Sequence, residues 1–311
     1  MILCLGTTPA VQRVMVFAKL TLDAVNRATT TLDGASGKSV NVAKVLKSLG
    51  EQPMATGFLG GDRGAFVRRV LDDRGVESEF VTVTSPTRQC LTVIDEFTGT
   101  HTELVEESGP ATAADFDALL AVVRRRIREC RALVMSGTIA TGGPPDLYHQ
   151  LTCLAHEAGA LAVVDAQGRS LAETLAAQPD LVKPNRAELA LTVGRALPDE
   201  ADVRSAMCEL QARGARRVVV TAGAGPVLAF DGREFWRIVP PPVPVANPIG
   251  SGDAFTAGLV ARLVRGEALG AACRWGAAAG AANALTLLPG DLRREDVERM
   301  AGMVGLSLVG P

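Results

Sequence analysis

From Pro110 onward, strand-length apolar runs alternate with helix-length amphipathic ones, and this alternation constrains the fold more than any other feature of the chain. The spacing predicts a helix over 112–127, a strand over 131–136, a helix over 144–157, a strand over 160–165, a short helix near 170–176 and a strand over 180–183. Ala132-Leu133-Val134-Met135 and Leu161-Ala162-Val163-Val164 are apolar at every position. A strand with no polar side must be covered on both faces, which means a mainly parallel sheet with helices above and below it. Met1 to Gly6 reads as another such strand, and helices over 252–265, 267–286 and 293–303 close the chain. Two stretches break the pattern. Val11 to Leu32, and the set Val81-Thr82-Val83, Arg88 to Glu96 and Thr102 to Val105 with a hairpin turn at Gly99-Thr100, are only half apolar. They predict two flaps that pair as a small β lid, built from about 9–34 and 86–106, on a single α/β domain spanning 1–311.

One turn near the end of the chain carries chemistry. In Asn247-Pro248-Ile249-Gly250-Ser251-Gly252-Asp253 the proline and two glycines break regular structure, and an Ala-rich helix follows at once. Such a turn leaves amide donors unpaired at the positive end of a helix, a natural seat for phosphate. Asp253, beside the captured anion, is placed to take a proton from a hydroxyl that attacks phosphorus. Taken bare, an Asp after glycines serves more often as a helix cap.

Other stretches join it. Gly37-Lys38-Ser39 precedes Val40, Val42, Ala43, Val45, Leu46 and Leu49 at helical spacing, with Gly50 as terminator. A phosphate-binding P-loop is rejected there, because that motif needs glycine where Leu32 stands and no strand is expected to feed it directly. Lys183-Pro184-Asn185-Arg186-Ala187-Glu188 ends a strand and starts a helix, so Asn185 and Glu188 share its first turn, as a capping box also would. Val218-Val219-Val220-Thr221-Ala222-Gly223-Ala224-Gly225 ends a strand in a glycine turn, on the side where such sheets bind ligands.

Together these stretches resemble the PfkB (ribokinase-like) carbohydrate kinases, and within them the 1-phosphofructokinase and tagatose-6-phosphate kinase subgroup. The turn at Gly250 is similar to D-T-x-G-A-G-D-x-F-x-A-G, the Gly37 to Gly50 stretch to G-G-K-G-x-N-V-A-x-x-L-x-x-L-G, and Lys183 to Glu188 to K-P-N-x-x-E; Thr102-Glu103-Leu104 with Gly109-Pro110 agrees as well. The resemblance implies a ribokinase-like fold and transfer of the γ-phosphoryl of ATP to a hydroxyl of a ketohexose monophosphate. It implies Asp253 as base, Gly250, Ser251 and Gly252 as anion hole, and Mg²⁺ held through water by Asn185 and Glu188. It implies substrate contacts from Gln12, Arg27, Gly37, Lys38, Asn41 and Arg88, with Lys38, Arg27 and Arg88 on the substrate's phosphate. Nucleotide contacts are implied for Lys183, Thr221, Gly223 and Gly225, and Asn283 is placed to face the purine or to be a satisfied core amide. A homodimer through the lid follows from the same resemblance and from the lid's open edges.

Departures fall in the sugar pocket. Thr8 and Gln12 stand where the subgroup has Asn and Asp, Ser36 and Ser39 where it has glycines, and Asn247-Pro248 where it has Asp-Thr. They leave open a kinase of an unphosphorylated sugar or nucleoside, or a weakly active sugar-phosphate-binding regulator.

Composition excludes other classes. A net charge of −2 and 21% charged residues mark no nucleic-acid or membrane surface, and Arg124-Arg125-Arg126 reads as the wet face of a helix. Six cysteines without a Cys-x-x-Cys pair predict reduced thiols and a cytoplasmic setting. His101, His149 and His156 show no metal-ligand spacing.

Overall fold

The computed structural model describes residues 1–310. In chain order the elements are β1 (Ile2–Gly6), β2 (Ala10–Phe17), β3 (Thr30–Ser36), α1 (Lys38–Ser48), β4 (Pro53–Leu59), α2 (Gly61–Asp73), β5 (Glu77–Ser78), β6 (Val81–Thr82), β7 (Arg88–Asp95) and β8 (Thr100–Val105). There follow α3 (Ala113–Arg126), β9 (Ala132–Ser136), α4 (Leu147–Glu157), β10 (Leu161–Asp165), α5 (Gly168–Thr174), β11 (Leu181–Val182), α6 (Arg186–Val193), α7 (Glu200–Ala212) and β12 (Val218–Val220). The chain closes with β13 (Val227–Phe230), β14 (Phe235–Val239), α8 (Ser251–Leu263), α9 (Leu269–Asn283), α10 (Arg294–Ala301) and β15 (Gly305–Val309).

The main sheet runs β15-β14-β13-β12-β11-β10-β9-β1-β4-β5, with β6 also on β4. It is parallel from β12 through β1 to β5 and β6, and antiparallel from β12 to β15. Its strands serve two cores, as doubly apolar strands must. Ile2, Cys4, Ala132 and Val134 point to the layer of α1, α2, α8, α9 and α10. Leu3, Leu5, Leu133 and Met135 point to the layer of α3 to α7. α8 and α9 approach closely because Gly258 faces the backbone of Trp275; a Cβ there would lie 2.5 Å from the Trp275 carbonyl oxygen.

The flaps pair as expected into a separate sheet, β3-β2-β7-β8. Val81–Thr82 is a correction: it pairs with β4 in the main sheet, because its neighbours hold it beside Phe58 and Leu59 before the chain leaves for the lid. The lid's inner residues Val14, Val16 and Ile94 pack on Leu287 and Leu288 of the loop after α9, and His101 Nε2 lies 3.0 Å from the carbonyl oxygen of Ala246. A second correction concerns Gly37: β3 feeds α1 directly, contrary to expectation, but as a lid strand and not a core parallel strand. All six cysteines are free, with Cys4, Cys90, Cys130 and Cys273 buried and Cys208 exposed. No helix among the described residues is long and apolar enough to cross a membrane.

Candidate active site

A cavity of about 400 Å³ lies between the lid and the carboxyl ends of the parallel strands. Its wall brings together most of the residues singled out in the sequence: Gln12 and Arg88 from the lid, Gly37, Lys38 and Asn41 from the start of α1, Lys183, Asn185, Glu188 and Thr221 from the sheet side, and Gly250, Gly252 and Asp253 from the start of α8.

The turn before α8 is built as anticipated. Gly250 takes φ +82°, a left-handed conformation that glycine adopts without strain, and a side chain there would also collide with Pro289. In the first helical turn Ser251 N donates to Pro248 O at 3.2 Å, whereas the amides of Gly252 and Asp253 have no carbonyl one turn back, and Gly252 has nothing within 4 Å of where a Cβ would sit, so a ligand can come up to its backbone. Asn283 braces the turn from behind. It is fully buried, its amide donates to Ile249 O (2.9 Å) and Ser251 Oγ (3.3 Å), and its Oδ1 accepts from Gly290 N (2.7 Å). That corrects its assignment as a purine contact: its polar atoms are used inside the protein, and Ser251 likewise presents its hydroxyl to Asn283.

Asp253 is 7% exposed and accepts a 2.8 Å hydrogen bond from Asn41 Nδ2. Burial pushes its carboxyl up to about 7; the Lys38 ammonium opposes the rise and the nearby Asp165 charge adds to it. Asn41 Oδ1 is buried and has no protein partner, so it is available to a donor in the cavity.

Asp165, at the carboxyl end of β10, is the central residue that sequence reasoning missed. It accepts from Lys38 Nζ (3.1 Å) and Thr256 Oγ1 (2.9 Å) and pairs with Lys183 Nζ (3.1 Å). Burial works against its charge, but the two ammonium groups outweigh it and hold the carboxyl down at about 2. The signal was present: a carboxylate closing an apolar strand at its carboxyl end, where such sheets bind ligands.

Lys38 pairs with Asp165 and, at 3.1 Å, with Glu188 Oε1. Although burial disfavours its charge, Asp165, Glu188 and Asp253 together raise it above the ordinary lysine value. Its ammonium is therefore engaged with carboxylates, and not standing free for a substrate phosphate. Asn185 and Glu188 do form the capping box: Asn185 Oδ1 accepts from Glu188 N (2.9 Å) and Glu188 Oε2 from Asn185 N (2.7 Å). The capping-box reading holds, and Glu188 Oε1, paired with Lys38, lines the cavity.

Toward the lid, Gln12 Nε2 donates to Thr92 Oγ1 at 2.8 Å, and the Arg88 guanidinium donates to the carbonyls of Thr8 (3.1 Å) and Glu106 (3.4 Å). Glu103 enters the wall beside Arg88, a second carboxylate not singled out; loss of water raises its carboxyl, with Arg88 opposing. Ser36 lines the cavity, whereas Ser39 packs against Gly6. Arg27 lies exposed in the loop between β2 and β3 and is not part of this wall, and Gly223 and Gly225 sit on the loop after β12, outside it.

No cluster of three metal-ligating side chains occurs among the described residues. A divalent cation carried by a nucleotide would meet hard carboxylate oxygens at Asp165 and Glu188, which here are paired with Lys38 and, for Asp165, with Lys183.

The sequence matches the description "pfkB family carbohydrate kinase" over residues 1–291. It is 30% identical over 267 residues to the tagatose-6-phosphate kinase of Staphylococcus epidermidis, covering 85% of this chain and 86% of that one. It is 34% identical over 252 residues to the 1-phosphofructokinase of Rhodobacter capsulatus, covering 81% and 80%. The tetrameric inhibited form of phosphofructokinase-2 from Escherichia coli superposes with a TM-score of 0.86 at 28% identity, over 97% of this chain and 98% of that one. With a match that spans residues 1–291, the chain belongs to the pfkB family of carbohydrate kinases.

Proposed function

We propose that the protein transfers the γ-phosphoryl group of ATP to a hydroxyl of a ketohexose monophosphate such as fructose 1-phosphate, fructose 6-phosphate or tagatose 6-phosphate. The observation that carries this reading is Asp253: a buried carboxylate, oriented by Asn41, at the amide-rich start of α8. A carboxyl near 7 is a base suited to neutral pH. As the hydroxyl oxygen bonds to phosphorus, its proton passes to Asp253 Oδ, and the bond from phosphorus to the bridging oxygen of the nucleotide breaks. The amides of Gly250 and Gly252 would face the oxygens of the transferring group, Ser251 N being bonded to Pro248 O. Little covalent work is asked of the protein, because positioning and electrostatics dominate phosphoryl transfer. Mg²⁺, bound with ATP, would supply charge neutralisation; Asp165 and Glu188 would hold its water and Asn185 would keep Glu188 in place.

Arg88, in the cavity wall, supplies positive charge to the substrate's phosphate, while Lys38 is held by Asp165 and Glu188 and Arg27 lies outside the wall. The lid's outer face carries exposed Leu104, paired with Leu91, and we read it as a homodimer surface. An ADP-release screen over the three sugar phosphates, free hexoses and nucleosides tests the reading. Turnover with one sugar phosphate is expected; turnover only with a free sugar or nucleoside would replace it. The engagement of Arg88 by the carbonyls of Thr8 and Glu106 favours keeping that second outcome in the panel.

A further inference from the structure

Outside the cavity, one fully buried cation has no part in the chemistry described so far. Lys44 lies one turn beyond Asn41 on α1, and its ammonium meets three acceptor oxygens: it donates to Ala35 O at 2.9 Å and Pro289 O at 2.5 Å, and forms an ion pair with Asp291 Oδ1 at 3.2 Å. Two of those acceptors belong to the loop after α9, and that loop supports the anion seat at several points. Pro289 packs against Gly250, Gly290 N bonds to Asn283 Oδ1, and Asn283 holds Ile249 and Ser251. Gly290 also lies against the backbone of Asn41, whose side chain orients Asp253.

We propose that Lys44 is a positioning residue for phosphoryl transfer: its charged ammonium locks the Pro289–Asp291 loop to α1, and so holds the phosphate-binding turn and Asp253 in register. The inference rests on the kinase reading of the site. The charged groups facing Lys44 are Asp291, Arg74, which also pairs with Asp291, and, farther off, Asp253. Burial brings Lys44 down to about 8, with Asp291 opposing that fall and Arg74 adding to it. Above that pH a neutral amine keeps two N–H groups for the two carbonyls but loses the charge that strengthens those bonds and pairs it with Asp291.

The sign of the linked stability change separates this role from a merely structural one. Because the folded-state value lies below the ordinary lysine value of 10.5, the unfolded chain binds more protons between about 8 and 10.5, and this group makes the fold firmer as pH rises. Activity lost through Lys44 is therefore not accompanied by unfolding.

The test compares wild type, Lys44→Arg and Lys44→Met from about pH 7 to 9.5, reading kcat on the sugar phosphate, affinity for a non-hydrolysable ATP analogue by calorimetry, and the thermal midpoint. Wild-type kcat and affinity are expected to fall about tenfold above about pH 8, the loss of one charge-assisted hydrogen bond, while the midpoint does not fall. Lys44→Arg stays flat and Lys44→Met is low and flat. A parallel alkaline fall in Lys44→Arg, or wild-type kcat and affinity in Lys44→Met, overturns the proposal. If arginine cannot be accommodated, Lys44→Met decides alone. The analogue measurement decides it even where no sugar phosphate is turned over, an outcome that would sink the kinase reading separately.

Discussion

A carboxylate that must be ionised to work, yet sits almost without water, puts opposite demands on one residue. For Asp253 the balance settles near 7, so kcat/KM is expected to lose activity as pH falls through about 7 and the carboxylate takes up its proton. The stability sign is the reverse. Its folded-state value lies above the ordinary 3.8, so the folded protein binds the proton more tightly and this group's contribution weakens as pH rises from about 4 to 7. Asp253→Asn should therefore lower kcat by roughly a hundredfold or more and at the same time raise the melting temperature at pH 8. A variant that keeps its turnover would remove Asp253 from the reaction. Asp165 behaves in the opposite way: its stabilisation is present above about pH 4 and disappears toward its value of about 2. Asp165→Asn leaves Lys38 and Lys183 without their shared counter-charge, and should cost about 3 kcal/mol in urea unfolding at pH 7. At this scale the sequence was most legible where a spacing had one geometric meaning, as at Gly250 to Asp253 and Asn185 to Glu188. Asp165 and Lys44 escaped because their partners come from distant segments, and Asn283 was ambiguous because a helix leaves the facing of one amide undetermined.

Among elements, the α8–α9 pair shows what small residues do. Gly258→Ala puts a methyl 2.5 Å from the Trp275 carbonyl oxygen, and helix separation at that point should lower stability by about 1–3 kcal/mol, measurable as a drop in melting temperature with little change in KM. The fully apolar strands β9 and β10 and the helices α3 and α4 were readable to within a few residues, because burial on both faces leaves a continuous apolar run. The antiparallel edge, β13 to β15, was not. Trp236 and Arg237 alternate with Phe235 and Ile238 too briefly to announce a strand, and β15 is mostly exposed. Two-residue strands such as β5 and β6 carry no period at all; only their place beside β4 defines them.

For the whole molecule, the proposed roles of the lid are substrate capture and association. Arg88→Ala should raise KM for a sugar phosphate by about tenfold or more while leaving KM for ATP nearly unchanged, as expected for removal of a charged contact; equal effects on both substrates would place Arg88 elsewhere in the mechanism. Light scattering is expected to show a homodimer at micromolar protein and a monomer for Leu104→Asp, since Leu104 is 54% exposed on the lid's outer face. The central place of β1 has a further bearing on how the chain reaches this state. β1 pairs on one edge with β4, but on the other Ile2 to Leu5 pair with Ala132 to Met135, so that edge must wait for a neighbour synthesised far later while the lid and three helices intervene. Such distant pairing makes folding slow, and during synthesis it leaves a bare, wholly greasy ribbon for the ribosome-bound chain to keep from sticking.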